Sequence, residues 1–179
     1  EDIIAEEDMV LTITHNGFIK RQLPSSWRRQ RRGGRGIKGA QAKEEDFVEH
    51  LFIASTHNYI LFFTDKGKCY WLKVHEIPVA GRTSQGRAVV NLIKCEPGEK
   101  VNAFVSVKEF NEQDCIVMAT KKGVVKKSKL SLYSKPRKGG IYAIEIRDDD
   151  ELIEAKISKG NNDILIGTSL GKSIRFNET

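Results

Sequence analysis

Much is missing from this chain of 179 residues, and each absence excludes a class of protein. Purely apolar runs such as Tyr59 to Phe63 fall far short of the ~20 residues a membrane helix needs. The opening Glu1-Asp2 is acidic, unlike the cationic start of a secretory signal. Cys69, Cys95 and Cys115 are odd in number and widely spaced, with no Cys-x-x-Cys pair and no histidine at ligand spacing. A disulfide framework and a zinc site are therefore not indicated, and reduced thiols in a cytoplasmic protein are expected. His15, His50, His57 and His75 are scattered without a nucleophile beside them. No G-x-x-x-x-G-K-[ST] loop is present, so nucleotide hydrolysis is not expected here. Helical periodicity of useful length is also lacking.

The most informative absence is local. From Met9 to Lys43 there is no Asp or Glu, while nine Lys or Arg residues occur. A second acid-free window, Cys115 to Ile144, holds Lys121, Lys122, Lys126, Lys127, Lys129, Lys135, Arg137 and Lys138. The acids cluster between and around these windows, as in Glu44-Glu45-Asp46 and Asp148-Asp149-Asp150. A formal net charge of +6 would mean little by itself, but charge segregated along the chain suits a face that binds a polyanion.

What is present is a repeat. VLTITHNGFIKR from Val10, ILFFTDKGKCYW from Ile60, IVMATKKGVVKK from Ile116 and ILIGTSLGKSIR from Ile164 share apolar residues, Thr, two variable residues and Gly. Their threonines, Thr14, Thr64, Thr120 and Thr168, are spaced by 50, 56 and 48 residues. Each unit reads as a β-hairpin turning at its glycine, and Asn16-Gly17 is a strong hairpin signal. Continuous apolar residues before each Thr predict strands covered on both faces. Between the hairpins, residues 88–94 with 101–107 and 141–147 with 152–158 are expected as further strand pairs. About four strands per ~50 residues is the pattern of a propeller blade, so the class is all-β, an array of about four blades. The expectation is one domain over 1–179 that stops before its fourth period is complete.

In the first period a basic loop, 27–43, replaces the strand corresponding to 88–94. WRRQRRGGRGIKG, residues 27–39, sets Arg28, Arg29, Arg31, Arg32, Arg35 and Lys38 among four glycines. Arginine forks grip phosphate oxygens, and glycines let the backbone approach and donate its amides. The same composition also fits a flexible RGG-like loop with unspecific nucleic-acid affinity. Trp27 either stacks on a base or covers the blade edge. The lysines at 121–138 read as a solvated face or as a second part of the binding surface, in the same hairpin position as Lys20-Arg21 and Arg175.

Gln30, Arg31, Arg32, Gly33, Gly34, Arg35 and Gly36 closely resemble the seven-residue box of the DNA gyrase A subunit's C-terminal domain. The Thr-x-x-Gly blades, over the whole chain, look like that domain's six-bladed β-pinwheel. Arg35 stands where many members have Lys, which preserves the charge. The resemblance implies double-stranded DNA wrapped on the basic outer rim, with the box holding it at the first blade. It further implies membership of an A2B2 holoenzyme that introduces negative supercoils, built from the B subunit together with the rest of the A subunit. ATP and magnesium would be used elsewhere in that assembly, with no cofactor, metal or membrane partner for this chain. Strand breakage in the family uses a tyrosine directly after an arginine, whereas Tyr59, Tyr70, Tyr133 and Tyr142 follow Asn, Cys, Leu and Ile. The expected role is DNA binding without catalytic residues, in a cytoplasmic, nucleoid-associated protein. The C-terminal domain of the topoisomerase IV A subunit, or a propeller-type protein-interaction module, is the alternative.

Overall fold

The computed structural model describes residues 3–27 and 46–179. In chain order the strands are β1 (Asp8–Thr14), β2 (Phe18–Gln22), β3 (Val48–Ser55), β4 (Tyr59–Thr64), β5 (Lys68–Lys73) and β6 (Arg87–Ala88). A single helical turn, α1 (Val89–Leu92), follows. Then come β7 (Val101–Val107), β8 (Cys115–Thr120), β9 (Val125–Lys129), β10 (Ile141–Tyr142), β11 (Leu152–Ser158), β12 (Asp163–Gly167) and β13 (Ser173–Asn177). They form separate sheets ordered β3-β1-β2-β6, β10-β5-β4-β7, β11-β8-β9 and β12-β13.

The Thr-x-x-Gly spacing has a direct cause. In every hairpin the Gly amide donates to the Thr carbonyl: Gly17 to Thr14, Gly67 to Thr64, Gly123 to Thr120 and Gly171 to Thr168, at 2.9–3.0 Å. The Thr hydroxyl then accepts the amide of the residue after the glycine, at 3.0–3.2 Å. One threonine thus closes each turn twice, once through its carbonyl and once through its hydroxyl, and all four glycines take the positive φ, between 76° and 88°, that this geometry requires.

Successive blades are linked by exchanged strands. β6 pairs with β2 through Arg87–Ile19 and Ala88–Phe18. β10 pairs with β5 one repeat later, through Ile141–Cys69 and Tyr142–Lys68. Each short strand therefore follows one hairpin in the chain but completes the sheet of the hairpin one repeat earlier. The expected pairings of 88–94 with 101–107 and of 141–147 with 152–158 are not formed. Residues 101–107 and 152–158 are strands, β7 and β11, but they lie against β4 and β8. Of the expected partners, only Ala88 in 88–94 and Ile141–Tyr142 in 141–147 lie in a strand. After Ala88 the chain coils, because the Val89 amide donates to Gly17 O and the Ile93 amide to Val89 O. Val89 and Ile93, four apart, are thereby buried together.

The second blade holds the core. Its β4 run alternates, Ile60 and Phe62 packing toward the first blade and Leu61 and Phe63 toward the third, all fully buried. Burying each such side chain is worth about 1.5–3 kcal/mol. This is the expected strand covered on both faces. The fourth hairpin departs from that expectation, with Leu165 71% and Ile174 59% exposed. Among the described residues no further blade packs against it.

Candidate nucleic-acid interface

Exchanged strands close the first two sheets, and exposed basic residues lie on the segments that carry them: Arg87 in β6, and Lys135, Arg137 and Lys138 ahead of β10. Gly86 and Gly140 stand just before β6 and β10 with φ of 89° and 70°. A Cβ on Gly86 would overlap the Ile19 carbonyl oxygen, and one on Gly140 would come 2.9 Å from Tyr70 Cε1 and 3.0 Å from Cys69 O. Only glycine lets the segment lie this close to the preceding hairpin. One residue beyond the strand, the amides of Val89 and Ala143 donate to Gly17 O and Gly67 O at 2.9 and 2.8 Å. The two segments are thus equivalent in register.

Of the residues expected to contact DNA, Arg28, Arg29, Gln30 to Gly36 and Lys38 lie outside the described residues. The remaining ones fall into two groups. In the first, Lys121 Nζ is 3.3 Å from Glu151 Oε1, Lys127 is 3.7 Å from Glu178 Oε2, and Lys129 is 3.9 Å from Glu112 Oε2. Lys126 Nζ donates to Ala143 O at 2.7 Å and Lys122 Nζ to Asp148 O at 3.5 Å. The acids come from connections and strand ends outside the hairpin: Asp150, ahead of β11, also accepts the Lys122 amide at 3.0 Å. Its pKa lies below the ordinary value although burial pushes it up, because the Thr120 hydroxyl and the Lys122 and Glu151 amides stabilise the anion. In the second group, Lys135, Arg137 and Lys138 are exposed and meet no carboxylate among the described residues.

The first-period cations that share the hairpin position are inward-facing. Lys20 is 4% exposed and its Nζ donates to Gly81 O, Arg82 O and Ser84 O at 3.0, 2.9 and 2.8 Å. Burial lowers its pKa from the ordinary lysine value. Arg21 donates to Ile77 O and His75 O, and Arg175 is bound by Asp163. Lys20 and Arg21 thus tie the 75–84 connection to the first hairpin, whereas Arg175 stays largely exposed on the last one. Trp27 is partly exposed. A residue the sequence reading passed over is Arg87, which is exposed and has no partner among the described residues. Its signal was Gly86-Arg87, the same pair as Gly34-Arg35.

A cleft of about 690 Å³ between the first two blades carries Glu49, Glu99 and Glu154 against a single lysine, Lys100. That sign of charge does not favour phosphate. The thiols offer no reactive centre: burial pushes Cys69 well up, and Cys95 is raised to about 12, chiefly by desolvation and then by Glu99.

The sequence pattern described as DNA gyrase C-terminal domain, beta-propeller, matches residues 8–55, 58–108, 116–159 and 162–179. The DNA gyrase A subunit of Clostridium acetobutylicum is 52% identical over 178 residues, 99% of this chain and 21% of that protein. The chain spans about a fifth of the length of the curated relatives it matches. Among solved structures, the C-terminal domain of DNA topoisomerase IV superposes with a TM-score of 0.80 at 23% identity, covering 99% of this chain and 54% of that one. The DNA gyrase A C-terminal domain superposes with a TM-score of 0.73 at 20% identity, covering 96% of this chain and 55% of that one. At such identities the superpositions establish the β-pinwheel fold.

Proposed function

The chain belongs to the DNA gyrase C-terminal domain family, and from that premise we propose that it binds duplex DNA along the outer edge of its blades and wraps it for a gyrase. The observation that carries this reading is the 52% identity, across four consecutive repeats, to the A subunit of a gyrase. Wrapping would present one DNA segment to the strand-passage gate with a positive crossing, so that ATP-driven passage introduces negative supercoils. The gate, the ATPase and its magnesium would belong to the B subunit or to the rest of the A subunit, in an A2B2 assembly in the cytoplasm and on the nucleoid. Gln30 to Gly36 would fasten the wrap, with Arg31, Arg32 and Arg35 as phosphate forks.

Recognition of this kind reads the backbone. Each neutralised phosphate releases counterions, so log K falls with log salt by about 0.9 per contact, and a slope on the order of five or more is expected. Bending the duplex costs on the order of 1–6 kcal/mol over ~20–30 base pairs, which only further contacts offset. Competition between short and long linear duplexes of mixed sequence, run across a salt series, tests both points. Tighter binding per site on the long duplex, with a steep slope and no sequence preference, supports wrapping. Equal affinity per site, or a flat salt response, contradicts it.

A further inference from the structure

The cleft between the first two blades carries a charge that the wrapping of DNA does not use. Three sheets contribute carboxylates to its wall: Glu49 on β3, Glu99 just ahead of β7 and Glu154 on β11. Glu99 differs from the other two in being only 6% exposed. Its Oε2 accepts the Tyr70 hydroxyl at 2.8 Å and the Glu96 amide at 3.1 Å. Its Oε1 is buried and has no hydrogen-bond partner. The Lys68 ammonium is bound by Glu96 and acts on Glu99 only at longer range. Lys100, on the same wall, is exposed and reaches no carboxylate among the described residues. A buried carboxylate short of a partner is costly, and a cation beside it relieves that cost.

The rest of the wall decides which cation fits. Among the described residues no three His, Cys, Asp or Glu side chains are grouped to hold a metal ion. Glu49 is already flanked by His15 Nδ1 at 3.5 Å and His50 Nε2 at 3.9 Å, and Glu154 accepts the Ala155 amide at 3.0 Å. A hard divalent ion, which demands a full shell of oxygens, is poorly served by this set. The same wall carries apolar Val90, Val101 and Phe104, the last with the His50 ring tilted against it at 5.3 Å. A charged head on a hydrocarbon stem matches both kinds of surface.

We propose that this cleft binds an aliphatic ammonium group, its head set against Glu99 and its carbon stem along Val90, Val101 and Phe104. Glu49 and Glu154 add to the negative potential that draws it in. The group belongs either to a free alkylamine or to the lysine side chain of a protein partner. The site is independent of duplex binding.

The test uses the unmodified chain without DNA, with the Val90 and Val101 methyl signals followed by NMR. The probes are n-butylammonium chloride, the peptide acetyl-Gly-Lys-Gly-amide and magnesium chloride, each against sodium chloride at matched ionic strength. n-Butylammonium is expected to shift both valines saturably. Tighter binding of the peptide assigns the site to a partner's lysine, and weaker binding assigns it to a free amine. E99Q, which keeps an acceptor for Tyr70, weakens binding about tenfold through the loss of one charge-assisted contact. E49Q/E154Q changes two exposed residues without touching Glu99, and weakens binding about two- to fivefold. Melting of each variant shows that the fold is intact. Shifts no different from those in sodium chloride, saturation by magnesium alone, or undiminished binding in both variants overturns the ammonium site.

Discussion

The hairpin lysines of the third blade and the turn that follows them lie in one acid-free window, yet the fold treats them in opposite ways. Lys121, Lys127 and Lys129 each reach a glutamate brought by a distant segment, whereas Lys135, Arg137 and Lys138 have no carboxylate partner among the described residues. Charge density along a sequence is therefore a poor guide to charge available at a surface. In this repeat fold the neutralising acids arrive from connections and strand ends outside the hairpin. The exposed pairs are worth only about 0–1 kcal/mol each, so phosphate can compete for these lysines but starts at a disadvantage.

The largest effect belongs to a lysine that reaches no ligand. Replacing Lys20 with Met removes the ammonium that three carbonyls of the 81–84 connection share. The expected cost is about 2–3 kcal/mol, a fall in melting temperature of about 5–10 °C for a chain of this size. The salt slope of duplex binding stays as it was. A lower slope at unchanged stability would place Lys20 on the rim and erase its contrast with the turn.

A smaller effect sharpens the comparison from the acid side. E112Q/E151Q releases Lys129 and Lys121 from their partners. Duplex affinity should rise by about 1.5- to 5-fold, the equivalent of surface pairs worth ~0.2–1 kcal/mol. Titration of a labelled duplex at low salt measures it. No gain, or a loss, would mean that these lysines do not approach the phosphates even when freed.

The smallest concerns Arg87, whose segment also carries Arg82, a residue already bound to Ser26 O. R87A should lower the salt slope by about one and leave melting within ~0.5 kcal/mol of the unmodified chain. An unchanged slope would confine phosphate contact to the segments with paired basic residues.

The hairpins were legible because one turn geometry demands Thr and Gly at fixed spacing, and four copies of that demand stand out in the sequence. The continuous Ile60 to Phe63 run likewise announced a strand buried on both faces. Strand exchange was not legible. A two-residue strand such as Arg87–Ala88 or Ile141–Tyr142 has no periodicity to detect, and β-branched Val89 and Val90 gave no hint that the chain would coil there. The inward roles of Lys20 and Arg21 were hidden for a related reason: their acceptors are carbonyls some 54 to 64 residues away. In the candidate interface, the basic windows were visible at once, but which cations remain unpaired depended on acids placed by the fold. Gln30 to Gly36 lie outside the described residues, so their role rests on sequence and family alone.

The central claim is that this chain wraps DNA with a fixed hand. It is tested most directly by ligating nicked circular DNA in the presence of the chain and measuring linking number after its removal. The account predicts a shift of linking number in the positive sense that grows with protein bound. In R31A/R32A/R35A the shift disappears, while part of the affinity survives through the third-blade turn. Saturating binding of the unmodified chain with no change in linking number, or a full shift in the triple variant, would contradict it.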